Sequence, residues 1–260
     1  MNVNTMRGLV VNEDLSISIE EMPVPEYNKY QALVKMVSGG ICGTDKKILH
    51  GHLKGYKNYP TILGHEGVGK VVEKGEKVTS FNIGDNVLLP FNYEKTGKYY
   101  STFGAFAEYG IVGDIQALRD NGINEGDPFS DESYYAQQKL DKDIDPISGC
   151  MIVTFREVYA AIKSLGFNGG DSVIIFGART VGLSFIKLCK LVGLTVISIE
   201  IEDEKKEQAL QMGADYAFNS RKCEIKKEIR KVLHNGADYV VDAAGVPNIM
   251  NIGLDLIKYD

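Results

Sequence analysis

Hydrophobic and polar positions change their spacing twice along this chain. Over roughly the first 110 residues the apolar positions fall in short runs, Ala32–Val37, Val68–Glu73, Asn86–Leu89 and Ala105–Val112, separated by Gly, Pro and Asn. Short runs punctuated by turn formers predict the strands of a small barrel or sandwich. Residues 113–149 lose that periodicity and become polar, which predicts a long insertion or linker with helical character near Asp131–Leu140. From Val153 the spacing is helical as far as Ser164, and Gly169-Gly170-Asp171 breaks it. Strand-like and helix-like segments then alternate. Ser172–Phe176, Thr195–Glu200, Ala214–Phe218 and Asp238–Asp242 read as strands, and Val181–Val192, Asp203–Met212, Glu224–Leu233 and Ile249–Ile257 as helices. Such alternation specifies βαβ units and a parallel sheet. The expected fold class is α/β with a β-rich N-terminal domain over 1–152, containing an acidic insertion at 113–149, followed by a partial doubly wound parallel sheet over 153–260.

Composition narrows the function. At 260 residues the chain can bury one or two cores, so two domains are a fair expectation. Its formal charge of −6 argues against a nucleic-acid or anionic-membrane surface. Nine Asp/Glu against three Lys/Arg lie within residues 113–146, which reads as a solvated loop rather than a binding face. The four cysteines, Cys42, Cys150, Cys189 and Cys223, form no CxxC pair, so neither a disulfide framework nor a four-thiolate zinc knot is indicated. Met1-Asn2-Val3-Asn4-Thr5 lacks the apolar core of a signal peptide, and no apolar run reaches membrane-spanning length. A reducing cytoplasm is the expected setting.

Candidate chemistry starts with His65, which follows Cys42 by 23 positions and sits in Gly64-His65-Glu66-Gly67-Val68-Gly69. Zinc takes sulfur, nitrogen and oxygen donors tetrahedrally, and a catalytic site keeps one position open. Cys42, His65 and Glu66 supply one donor of each kind, on glycine-flanked turns that suit a site at the mouth of a cleft. Asp45 is placed to accept a hydrogen bond from a ligand imidazole. Thr44 could pass a proton from a substrate alcohol towards solvent. Other groups are weaker candidates. His50-Gly51-His52 more readily caps a turn than binds a metal. Cys189 lies on an apolar helix and reads as core. Cys223, beside Arg221 and Lys222, has surroundings that could lower its pKa but nothing else that marks a nucleophile. His234 reads as a helix-end residue.

A second constellation follows the strand ending at Phe176. A dinucleotide fingerprint needs G-x-G-x-x-G between a strand and a helix, with an acidic residue about 20 positions on. Gly177 and Gly182 hold the first and third glycine positions, and Arg179 occupies the second. A side chain there obstructs the approach of a pyrophosphate unless the guanidinium turns outward and pairs with phosphate itself. Glu200 is suited to accept hydrogen bonds from both ribose hydroxyls, and Glu202 and Asp203 disfavour a 2′-phosphate, so NAD is expected over NADP. A scaffold of this kind that binds nothing is the competing reading.

Cys42-Gly43-Thr44-Asp45 and Gly64-His65-Glu66-x-x-Gly69-x5-Gly75-x-x-Val78 resemble the zinc-containing medium-chain alcohol dehydrogenases, in particular the polyol and threonine dehydrogenase branch. Val78–Val87 and Gly104-Ala105-Phe106-Ala107-Glu108-Tyr109 are similar to that family as well, and Val241–Gly245 resembles its later strand end, which lines the cofactor crevice. The resemblance implies a GroES-like catalytic domain followed by a Rossmann domain. It makes Cys42 and His65 ligands of a catalytic zinc, with Glu66 a direct or alternating ligand. Family members often carry a four-cysteine zinc lobe after the position of Pro90; residues 91–103 contain no Cys, so no structural zinc is expected. The family's further ligand position falls near Ile152–Thr154, which offers no good donor, leaving water or Cys150 to complete the site. The implied reaction is hydride transfer between a secondary alcohol (a polyol, sugar alcohol or amino alcohol) and NAD. A zinc-free quinone-reductase-like relative fits less well, because Cys42 and the Gly64-His65-Glu66 triplet are present. The stop at Asp260, before the strand that the last helix should feed, reads as C-terminal incompleteness, and a homo-oligomer is implied only with a complete C-terminus. Together with Arg179 and the lacking ligand position, that stop also fits a truncated or degenerate relative without catalysis.

Overall fold

The computed structural model describes residues 4–92, 95–101, 103–124 and 126–258; Met1–Val3 and the chain stop at Asp260 lie outside the described residues. The chain divides into two compact units, Met1–Val153 and Thr154–Asp260.

The first unit runs β1 (Thr5–Val11), β2 (Ile17–Pro23), β3 (Gln31–Gly40), α1 (Gly43–Leu49), β4 (Thr61–Ile62), β5 (Glu66–Lys74), β6 (Asn86–Leu88), β7 (Tyr100–Ser101), β8 (Tyr109–Gly113), α2 (Ile115–Asp120), a 3-10 turn (Glu132–Tyr135) and α3 (Pro146–Gly149). Its strands form two four-stranded sheets, ordered β2-β1-β4-β7 and β6-β5-β3-β8. Alternation along β3 sends Ala32 and Val34 into a core with Val71, Val87, Val112 and Phe81. The antiparallel register of β3 and β5 sets Gly39 opposite Gly67 and Gly40 opposite Glu66. That register positions the metal-ligand candidates, because Cys42 lies just beyond the end of β3 and His65 just before the start of β5.

The structure departs from the sequence expectations in definite places. Burial alternates along β2, but Ser18 and Glu20 take inward positions while Ile17 and Ile19 are exposed, so the hydrophobic pattern hid the hairpin β1–β2. The expected strand Ala105–Val112 is strand only from Tyr109. Its first part is a turn, because the amides of Ala105 and Phe106 donate to Gly64 and Leu63 instead of to a neighbouring strand. The tract 113–149 is not a solvated loop. Leu118, Tyr134, Gln137 and Leu140 are buried, and helical structure near Asp131–Leu140 is confined to the 3-10 turn. Its acidity has a local cause. Asp114, Asp131 and Asp145 each cap the N-terminus of the short helix that follows, accepting from the amides of Ala117, Ser133 and Ser148. Asp114 also accepts from the amides of Thr79 and Ser80; although burial opposes it, these bonds hold its carboxyl below the usual carboxylate range.

In the second unit α4 (Met151–Ser164), whose first turn belongs to the first unit, leads to β9 (Ser172–Phe176), α5 (Thr180–Val192), β10 (Thr195–Glu200), α6 (Asp203–Met212), β11 (Tyr216–Asn219), α7 (Ile225–Val232), β12 (Tyr239–Asp242) and α8 (Ile249–Leu254). The strands are parallel and ordered β11-β10-β9-β12. Successive residues of β9 and β10 serve opposite faces. Val173, Ile175 and Val196 pack with Val158, Ile162, Phe185, Ile186 and Cys189 on one side. Ile174, Phe176, Ile197 and Ile199 pack with Ile229 and Leu256 on the other. Each such aliphatic side chain contributes about 1.5–3 kcal/mol by leaving water. Strand order changes direction at β9, so the crevice between β9 and β12 at their C-terminal ends is the place where open sheets of this kind receive ligands.

Candidate metal centre and dinucleotide turn

Cys42 is the N-cap of α1, in extended backbone conformation. Its Sγ accepts from the amide of Thr44 at 3.1 Å, and its own amide donates to Asp45 Oδ2 at 2.8 Å. This is a capping box with sulfur in the place of a hydroxyl. The other oxygen of the buried Asp45, Oδ1, accepts from the amide of Gly64 at 3.2 Å. One carboxylate therefore fastens the cysteine turn to the histidine turn. Gly64 has φ +98°, and a Cβ on it would stand 2.8 Å from the Phe106 ring, so only glycine fits there.

The result is a pair of facing donors. Cys42 Sγ lies 3.6 Å from His65 Nδ1, and the ligand atoms of Cys42, Asp45 and His65 are all within 4.8 Å of one another. Zinc bonds of about 2.3 Å to sulfur and about 2.0–2.1 Å to nitrogen, at a tetrahedral angle, require an S···N separation of about 3.6 Å. The donor set and spacing fit zinc. Burial pushes the Cys42 thiol up, so metal binding would release its proton.

Asp45 bonds the backbone of both turns, and its carboxylate lies within the candidate donor group. Glu66 does not belong to that group. It is 8 % exposed, and its Oε2 would lie only 2.6 Å from a Cβ at Gly40, so its carboxylate is folded against the end of β3. Cys150 is a core residue, packed with Val68, Leu88 and Leu140, and its Sγ donates to Ser38 Oγ at 3.1 Å. Thr44, half-buried in the first turn of α1, sits beside the Cys42 sulfur through its amide. Sequence reasoning missed Phe103, whose ring lies against the His65 imidazole with centroids 5.1 Å apart at 57°.

The remaining cysteines and histidines stand apart. His50 and His52 are exposed at the end of α1 and belong to no donor group among the described residues. Cys189 is fully buried, which pushes its thiol up to about 12. The Cys223 thiol is also pushed up, by burial and then by Glu228, and not lowered by its basic neighbours in sequence. His234 is exposed beyond α7.

In the second unit the strand–turn–helix has the expected form. A Cβ at Gly182 would fall 1.8 Å from the Gly177 carbonyl oxygen, so α5 packs on the turn only with glycine there. Arg179 is the N-cap of α5, exposed and with φ −86°, a conformation that does not require glycine. Glu200, 9 % exposed at the end of β10, accepts from the amide of Ala178 and, at 3.1 Å, from that of Ile201. The carboxylate expected to meet a ribose is bonded to the turn itself. Across the β9–β12 crevice, Asp242 Oδ1 accepts from the amides of Ala244 and Gly245, each at 2.9 Å.

Comparison with known proteins places both units in one family. Residues 28–119 match the model of the alcohol dehydrogenase GroES-like domain, and residues 180–260 that of the zinc-binding dehydrogenase. An alcohol dehydrogenase of Geobacillus stearothermophilus is 31 % identical over 241 residues, covering 88 % of this chain and 67 % of the relative. A sorbitol dehydrogenase of Halalkalibacterium halodurans is 30 % identical over 248 residues, covering 93 % and 70 %. Among solved structures, a zinc-binding dehydrogenase from Sinorhizobium meliloti 1021 bound to NADP superposes with a TM-score of 0.79 at 23 % identity, covering 98 % of this chain and 74 % of that one. The chain belongs to the zinc-containing medium-chain alcohol dehydrogenase family, a family of oxidoreductases. Its two units hold the GroES-like and Rossmann-like folds of that family. No helix among the described residues is long and apolar enough to cross a membrane.

Proposed function

We propose that this chain oxidises a secondary alcohol of the polyol, sugar-alcohol or amino-alcohol class, using one zinc ion and NAD. The observation that carries the reading is the 3.6 Å separation of Cys42 Sγ and His65 Nδ1, which suits a shared tetrahedral ion. Zinc, when bound, supplies a Lewis acid that makes a hydroxyl easier to deprotonate. Cys42 and His65 hold it, and Asp45 keeps their two turns together while offering a third donor. The Thr44 hydroxyl moves the substrate proton towards solvent. The amides at the start of α5 and the helix dipole would hold the pyrophosphate, with the Arg179 guanidinium placed to pair with it. Glu200 would exchange its bond from the Ala178 amide for bonds from the ribose hydroxyls, and Glu202 and Asp203 would disfavour a 2′-phosphate, which is the ground for NAD although the Sinorhizobium structure holds NADP. The sorbitol dehydrogenase relative supports the polyol class.

The test is metal analysis of the purified chain together with NADH formation from polyols and amino alcohols. About one zinc per chain and faster turnover with NAD than with NADP are expected. Undiminished turnover by metal-free protein overturns the reading. A second reading, a relative that no longer turns over, is favoured by the bond between Glu200 and Ala178. Calorimetry that detects no NAD binding to the zinc-loaded chain would establish it.

A further inference from the structure

We infer that Phe103 is a positioning residue that fixes the plane of the His65 imidazole, an inference that rests on the metal-centre reading above. Phe103 has φ +76°, a left-handed conformation unusual for a bulky side chain. Gly104 follows at φ +91°. Two successive left-handed residues turn the chain back on itself, and the Phe103 ring comes to rest 5.1 Å from His65 and 5.4 Å from Phe91, edge-on to the latter at 75°. The base of this aromatic stack is fixed. Phe91 exchanges both backbone hydrogen bonds with Ile111, at 2.8 and 2.9 Å, and the Phe103 carbonyl accepts from the Asn92 amide at 3.2 Å. The segment just after Phe103 is fastened to the histidine turn by the bonds from Ala105 to Gly64 and from Phe106 to Leu63.

Metal-binding histidines usually have their second ring nitrogen held by a carboxylate or carbonyl. Among the described residues no such group is hydrogen-bonded to the His65 ring, because Asp45 is engaged with the two backbone amides. Ring-on-ring packing takes over that orienting task, and strained backbone is retained where it places the ring.

The test uses the full chain loaded with zinc, and separately with cobalt(II). Phe103→Asn keeps a residue tolerant of the left-handed region but removes the ring, Phe103→Gly removes the backbone strain as well, and Phe103→Tyr restores an aromatic ring. Both ring-deleted proteins should release zinc to EDTA about tenfold faster than the parent and show altered visible bands of the cobalt form, with unchanged unfolding temperature when metal-free. Phe103→Tyr should return both readouts to those of the parent. Parental release rates and spectra in the Asn and Gly variants overturn the inference alone. An early loss of fold in both metal-free variants also overturns it, since Phe103 is then structural. A parent chain that takes up neither zinc nor cobalt overturns the metal-centre reading itself.

Discussion

The metal centre and the dinucleotide turn each depend on one buried carboxylate that joins a near amide to a distant one. Asp45 joins Cys42 to Gly64, and Glu200 joins Ile201 to Ala178. At the metal centre this bonding leaves the sulfur and the imidazole facing each other, so the donors are preorganised. At the dinucleotide turn the bonded carboxylate is the group proposed to hold the ribose, so binding there exchanges an internal bond for an external one. Two similar devices thus leave the proposed metal donors already facing each other and the proposed ribose carboxylate bonded to its own turn.

The largest effect expected from breaking this contrast is that of Cys42→Ser. A serine still caps α1, so the metal-free protein should unfold at an unchanged temperature. Zinc should be lost, and turnover should fall about a thousandfold, as removal of several kcal/mol of Lewis-acid stabilisation implies. Retained zinc in metal analysis would contradict the assignment of the sulfur. Next comes Gly182→Ala, whose Cβ has no room beside the Gly177 carbonyl. It should destabilise the second unit by about 3 kcal/mol in denaturant titration while zinc content stays at the parental level. The paired substitutions Asp45→Asn and Glu200→Gln sharpen the comparison further. Each leaves one amide poorly paired and should cost about 1–3 kcal/mol of stability. Only Asp45→Asn should weaken zinc, by about tenfold, whereas Glu200→Gln should weaken NAD.

The smallest effect concerns acid. Burial opposes it, yet the Lys258 ammonium and the amide and hydroxyl of Ser172 hold the Asp238 carboxyl down to about 2. A depressed folded-state pKa contributes stability that is present above the unfolded value, near 4, and is lost as pH falls towards 2. Asp238→Asn should flatten the stability curve of the second unit over that window by about 1 kcal/mol, measured by denaturant unfolding at several pH values.

Much of the second unit was legible because β9 is apolar from Val173 to Phe176 and α5 follows it with helical spacing, so local pattern and global fold agree. Cys42 and His65 were legible as a pair from residue type and flanking glycines. α1 was not, since Gly43-Thr44-Asp45-Lys46-Lys47 offers no apolar stripe and the helix is held by its caps. The bond from Gly64 to Asp45 was not legible, because it joins turns 19 positions apart in sequence. Nothing in the sequence announces a left-handed Phe103. The acid of 113–149 was visible, but its use in capping three short helices depends on where each helix begins.

The pairing of β3 with β5 carries one more consequence. A slip of a single residue between these strands would turn every side chain of the shifted strand to the wrong face and carry Cys42 about 3.3 Å along the sheet from His65. A misfolded sheet could not chelate. If the chain takes up zinc as proposed, its bound metal is also an assay of strand alignment, reporting the fraction of molecules in which β3 and β5 pair in the right register.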